Sequence, residues 1–162
     1  MIKGKIRKTW IPDDYINGPW RTNKYHYKGF QTSSTNKKLY KNNIGVYINN
    51  DVNMNFSKIS KKFKLKQTVV ALNKMNPGQI LPFHIDLYKT YIKRNDVKNQ
   101  KDIVRIILFL EDGVPGHQLW IGDSICTGNA GSYFGWSYGE KHMAANLSDQ
   151  ARYTLQITGL RG

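Results

Sequence analysis

His84 and Asp86 stand two residues apart in Leu81-Pro82-Phe83-His84-Ile85-Asp86. Alternate side chains of an extended strand point to one face, so a short strand there can offer an imidazole and a carboxylate to one cation. A second histidine from a neighbouring strand would complete two imidazoles and one carboxylate. That ligand set leaves positions open on non-haem ferrous iron for a substrate and O2. The His-x-Asp triplet alone is common; here it closes a run opened by the Pro77-Gly78 turn, with apolar Ile80, Leu81 and Phe83 around it.

The second histidine must be His26, His117 or His142. His26 lies among Lys and Tyr and reads as a surface residue. His117 follows the turn Gly113-Val114-Pro115-Gly116, and nothing after it looks like an anion site. His142 is followed ten positions later by Arg152-Tyr153-Thr154. On a strand, Arg152 and Thr154 share a face with Gln156, while Tyr153, Leu155 and Ile157 take the other. A guanidinium meets a carboxylate with two parallel hydrogen bonds and a nearby hydroxyl can donate a third, so a dicarboxylate suits the pair. His142 is therefore preferred. Pairing of 141–147 with 152–158 as a hairpin around Ser148-Asp149-Gln150-Ala151 would carry Arg152 to the metal.

These residues need a sheet to hold them. Short apolar or alternating runs at 68–75, 79–85, 87–92, 103–110, 118–121, 132–136, 141–147 and 152–158, separated by Gly, Pro, Asn and Asp, predict a sandwich or barrel of antiparallel strands. A further strand is expected over 44–48. Phe56, Ile59 and Phe63 predict one short helix behind an Asn cap, its apolar stripe covering a sheet. Residues 1 to 43 lack periodicity and read as an irregular N-terminal extension with short strands. The chain divides into a 1–65 extension with its supporting helix and a 66–162 β core, within a single domain.

Ile103-Val104-Arg105-Ile106-Ile107-Leu108-Phe109-Leu110 is apolar on both faces except at Arg105, which predicts a central strand buried on both sides. A buried arginine needs a partner, so Arg105 meets a protein carboxylate or faces a cavity that receives an anion. Trp120, Trp136, Tyr88, Tyr91 and Asn146 are further candidates for lining a pocket.

The chain has 25 Lys plus Arg against 11 Asp plus Glu, so 25 − 11 gives +14, a field that favours acidic partners or nucleic acid. Much of this charge is Lys scattered with Asn, which an AT-rich genome also produces. Cys126 is the one cysteine, which excludes an internal disulfide and fits a reducing setting. No apolar run reaches membrane-spanning length, and Met1 to Arg7 lead into Thr9-Trp10-Ile11-Pro12-Asp13-Asp14 rather than an apolar signal core. A soluble, cytoplasmic protein without membrane contact is expected. Asn55-Phe56-Ser57 and Asn146-Leu147-Ser148 are then chance matches to a glycosylation pattern.

The series His84-Ile85-Asp86, His142 and Arg152-Tyr153-Thr154 resembles the iron(II)- and 2-oxoglutarate-dependent dioxygenases with the double-stranded β-helix fold, a jelly-roll and cupin-like architecture. The likeness covers about Thr68 to Gly159. Gly135-Trp136 through His142-Met143-Ala144-Ala145-Asn146 and Arg152-Tyr153-Thr154-Leu155 is similar to the aspartyl/asparaginyl and prolyl hydroxylase-like branches. The resemblance implies that His84, Asp86 and His142 hold Fe(II) and that 2-oxoglutarate chelates it, with the far carboxylate on Arg152 and Thr154. O2 is then consumed, succinate and CO2 are released, and a substrate C–H bond is hydroxylated. Arg105 and Asn146 are the further cofactor-pocket candidates.

A protein or peptide is the expected substrate, since those branches share the compact length and motif spacing. A nucleic-acid oxidative demethylase would use the positive charge more directly, but that branch has a second arginine six residues after the first, where this chain has Thr158. A small-molecule hydroxylase and a non-catalytic basic jelly-roll binding module are the other readings.

Overall fold

The computed structural model describes residues 1–23 and 44–162. His26 and the polar run Gln31 to Asn36 lie outside the described residues. The described strands form two antiparallel sheets. The larger contains β1 (Ile2–Lys5), β2 (Arg21–Thr22), β3 (Tyr47–Asn49), β4 (Lys66–Met75), β6 (Ile103–Phe109), β9 (Ser132–Ser137) and β11 (Arg152–Leu160), in the order β1-β9-β6-β11-β4-β3-β2. The smaller contains β5 (Ile80–His84), β7 (His117–Ile121), β8 (Ser124–Ile125) and β10 (His142–Asn146), in the order β5-β10-β7-β8. Two short helices, α1 (Met54–Lys61) and α2 (Lys89–Asn95), complete it. This is the mainly β, double-stranded β-helix architecture expected from the sequence.

The core has two layers because β6 and β11 are buried on both faces. Val104, Ile106 and Leu108 pack with Leu155 and Ile157 on one side, against Phe56 and Ile59 of α1. Ile107 and Phe109 turn the other way and meet Leu119 and Ile121 of the small sheet, with Trp136 and Cys126. The cap of α1 is Asn53, whose side chain accepts from the Phe56 N–H at 3.2 Å. Gly135 lets β9 lie close to β6: a Cβ there would stand 2.7 Å from the Arg105 carbonyl oxygen.

Two expectations are corrected. Residues 87–92 are not a strand: Tyr88 adopts the left-handed conformation (φ 49°) and breaks the extended chain, and Lys89–Asn95 then wind into α2. No residue of that helix is buried, so the apolar side chains of Tyr91 and Ile92 do not mark a core strand. β10 and β11 do not form a hairpin. They belong to different sheets, β10 pairing with β5 and β7 while β11 pairs with β4 and β6. The N-terminal stretch carries short strands, as expected, and also enters the core. β1 pairs with β9, and Trp10 and Tyr15 are 2 % exposed in the layer on the α1 side of the large sheet.

Trp10 also donates from Nε1 to the Leu110 carbonyl at 2.8 Å. Trp10→Ala should therefore destabilise the fold by about 3–5 kcal/mol in urea unfolding, the range for truncating a large buried aromatic. A loss below ~1 kcal/mol would mean that residues before β3 decorate the core rather than belong to it.

Candidate metal centre

β5 ends at His84 and β10 begins at His142, and the two are opposite one another in the antiparallel register, with ring centroids 4.3 Å apart. Each imidazole is tethered by Nδ1 to a carbonyl two residues back: His84 to Pro82 O at 2.7 Å and His142 to Glu140 O at 3.0 Å. A carbonyl only accepts, so Nδ1 carries the hydrogen and Nε2 the lone pair in both rings. Both Nε2 atoms approach one carboxylate, His84 at 3.6 Å from Asp86 Oδ1 and His142 at 3.3 Å from Asp86 Oδ2. One donor atom from each of the three residues lies within 4.8 Å of the others.

This donor set fits a divalent cation. Two neutral imidazoles, oriented by outer hydrogen bonds, and one ionised carboxylate are what a metal requires of its ligands. Burial alone would push the Asp86 carboxyl up. The Arg105 charge is the largest influence against burial, and the carboxyl is held well below the usual carboxylate range. Arg105 Nη1 donates to Asp86 Oδ2 at 2.6 Å and Nε donates to Thr158 Oγ1 at 3.2 Å. Of the two partners open to Arg105 from the sequence, the structure supplies the carboxylate, and it is the candidate metal ligand.

His84, His142 and Arg105 line a cavity of about 50 Å³ between the sheets, together with Arg152, Thr154 and Gln156. The face predicted for β11 is the face that lines it, and Tyr153, Leu155 and Ile157 enter the opposite layer. Arg152 is 5 % exposed, yet among the described residues no carboxylate pairs with it. Its Nη1 donates to Gln118 O at 2.6 Å and its guanidinium lies 5.3 Å from the centre of the Phe109 ring. Burial pushes its pKa down to about 10, opposed by Cys126, so it remains a cation at neutral pH. Arg152 and Thr154 also line a second cavity of about 490 Å³.

The other candidates fall elsewhere. Asn146 is fully buried but lines neither cavity. Its Nδ2 donates to Met75 O and Gln150 O, and its Oδ1 accepts from the Ser148 N–H and hydroxyl, which builds the corner that carries the chain from β10 to β11. His117 lies in the wall of the second cavity, its pKa lowered by burial and by the Arg152 charge, opposed by the Gln150 backbone. Trp136 stacks on His142 with centroids 4.2 Å apart. Asn73 was not singled out from the sequence; it lines the inter-sheet cavity and its Nδ2 donates to Gln156 Oε1 at 3.3 Å. A polar residue two places before Met75 on a core strand was the available signal.

No protein-family model and no curated protein matches the chain. Among solved structures, the chain is similar to a prolyl-4-hydroxylase from Pseudomonas putida, with 13 % identity over 94 % of this chain and 97 % of that one and a TM-score of 0.56. It is more distantly similar to a predicted oxalate decarboxylase from Thermotoga maritima, at 15 % identity, 72 % and 82 % coverage and a TM-score of 0.46. The first likeness shows the shared fold. Within that fold the His-Asp-His cluster could hold a metal ion. No helix among the described residues is long and apolar enough to cross a membrane.

Anaerobic calorimetry with Co(II) or Fe(II) should show one site. His84→Ala and His142→Ala should each weaken it by more than about 100-fold, beyond what loss of an outer-shell partner does, while His117→Ala binds as the parent does. Equal losses for all three variants would place the cation elsewhere.

Proposed function

We propose that the protein is an Fe(II)- and 2-oxoglutarate-dependent dioxygenase that hydroxylates a side chain of a protein or peptide. The observation that carries this reading is one cavity lined by His84 and His142 of the His-Asp-His donor set and by a buried arginine that, among the described residues, has no carboxylate partner. Bound Fe(II) with 2-oxoglutarate supplies O2-dependent hydroxylation of a C–H bond, coupled to release of succinate and CO2.

The chain's own residues prepare that chemistry. His84, Asp86 and His142 would hold the ion, and the Pro82 and Glu140 carbonyls hold both rings in the metal-binding tautomer beforehand. Arg105 keeps Asp86 ionised and fixes its Oδ2. Arg152, with the Thr154 hydroxyl on the same strand face, would take the far carboxylate of 2-oxoglutarate. A carboxylate there turns an uncompensated buried charge into a hydrogen-bonded pair. Ile107, Leu119 and Ala144 wall the space between and keep it poor in water.

Exposed apolar residues support the choice of a polypeptide substrate. Phe83, Ile85 and Leu87, interleaved with His84 and Asp86, are 51 %, 41 % and 56 % exposed. Exposed apolar side chains next in sequence to the ligand residues suit the body of a polypeptide, whereas an oligonucleotide would call for Lys or Arg to meet phosphates.

Anaerobic addition of 2-oxoglutarate to the Fe(II) protein should give the weak visible band of a chelated keto acid, and a peptide screen should find a 16 Da gain with succinate formed in step. No band, or a gain confined to oligonucleotides, would overturn the proposal or its substrate class respectively. Arg152→Lys, which keeps the charge but loses the fork, should weaken 2-oxoglutarate binding about tenfold, equivalent to roughly 1.4 kcal/mol. Unchanged affinity would move the carboxylate site to Arg105.

A further inference from the structure

We infer that the second cavity is a binding site of its own, for a small monocarboxylic acid with an apolar body, and that Arg152 holds the acid group. The site does not depend on a bound metal. Only its competition with 2-oxoglutarate rests on the proposed function.

The cavity holds about 490 Å³, inside the range of roughly 300–1,000 Å³ typical of small-molecule pockets. It shares Arg152 and Thr154 with the inter-sheet cavity, whereas Phe109, Val114, Pro115 and Ile125 line the second cavity alone. Its walls are tied together by hydrogen bonds. The Gly113 N–H donates to Gly128 O at 3.1 Å, the Leu147 N–H to Gly116 O at 2.9 Å and the Ala130 N–H to Asp112 Oδ1 at 2.9 Å. A Cβ on Gly113 would stand 2.8 Å from Gly128 O, so these two loops are in direct contact. A pocket fixed in this way needs little ordering when a ligand enters.

The charges in the wall select the ligand. Glu111 is already served, because the Tyr15 hydroxyl donates to its Oε1 at 3.0 Å. His117 has its pKa lowered by burial and is uncharged at neutral pH. Arg152 is the one cation of the lining, and it is 5 % exposed. A guanidinium has five N–H donors. Among the described residues only Nη1 of Arg152 has acceptors, Gln118 O at 2.6 Å and Ala145 O at 3.5 Å. Nε and Nη2, the edge that meets a carboxylate with two parallel hydrogen bonds, have none. A carboxylate there would answer a buried charge that no protein anion answers. A second carboxylate on the same molecule would find no second cation in this wall, so a monocarboxylate fits better than a dicarboxylate. Its body would meet Phe109, whose ring centre lies 5.3 Å from the guanidinium, with Val114, Pro115 and Ile125 beyond.

Phenylacetate is the probe. Calorimetry on the metal-free full chain should show one site, and phenylacetamide, which keeps the ring and loses the charge, should bind at least about tenfold more weakly. Thr127 lines the cavity from an exposed position, so Thr127→Trp should fill the space and abolish phenylacetate binding while melting temperature and Co(II) affinity stay as in the parent. No binding by the parent at millimolar concentration, equal binding of the amide, or parent-like binding by Thr127→Trp would each overturn the site. Should that variant fail to fold, diffraction from crystals soaked in phenylacetate decides: density against Arg152 in this cavity supports the site, and density elsewhere overturns it. With Fe(II) added anaerobically, phenylacetate should weaken 2-oxoglutarate binding, read from the visible band, because both acids draw on one guanidinium. Unchanged 2-oxoglutarate affinity would overturn the sharing of Arg152. A parent without any band would overturn the dioxygenase reading, and the metal-free measurements would still decide the acid site.

Discussion

Asp86 is the point at which the two sheets meet electrostatically. It follows directly on β5 of the small sheet, accepts from Arg105 of the large sheet, and lies against two imidazoles of the small one. An arginine in the most buried strand of the protein is tolerable only if its charge is answered, and removing either partner of such a pair leaves an uncompensated charge that costs roughly 3–5 kcal/mol. The same pair keeps the carboxylate ionised inside a largely apolar gap. The three donor side chains are therefore already gathered, with the tautomers of both histidines set by backbone carbonyls.

The second consequence of the two-sheet design is the position of Arg152. Had β10 and β11 paired as a hairpin, the arginine and His142 would have shared one sheet surface. Instead, Asn146 turns the chain across the gap, so His142 and Arg152 line the same cavity from opposite walls. Asn146 thus matters to the site through the corner it builds. The long apolar strands β6 and β11 give this arrangement rigidity, since each contributes side chains to both layers of the core.

Local periodicity made much of this readable in the residues themselves. Alternation along Arg152–Leu160 separated the cavity face from the core face, and the continuous apolar run around Arg105 marked a strand buried on both sides. What escaped was non-local or non-periodic. Which sheet a strand joins depends on pairing partners far away in the chain, so the β10–β11 connection was misread. The run Leu87 to Ile92 has strand-like composition, but a single residue at positive φ redirected it into a helix. Trp10 and Tyr15 enter the core as isolated anchors in an aperiodic stretch, which no repeat of two or three and a half residues could reveal. The meeting of Arg105 with Asp86 was likewise invisible, because a sequence shows that a buried arginine needs an anion without showing which one.

Anomalous diffraction from crystals grown anaerobically with Fe(II) is the most direct measurement of the claim that three side chains share one ion. The account predicts a single strong peak between His84 Nε2, His142 Nε2 and the Asp86 carboxylate, with Arg105 still bonded to the outer oxygen. A vacant cluster in iron-loaded crystals, or a peak held by other residues, would contradict it.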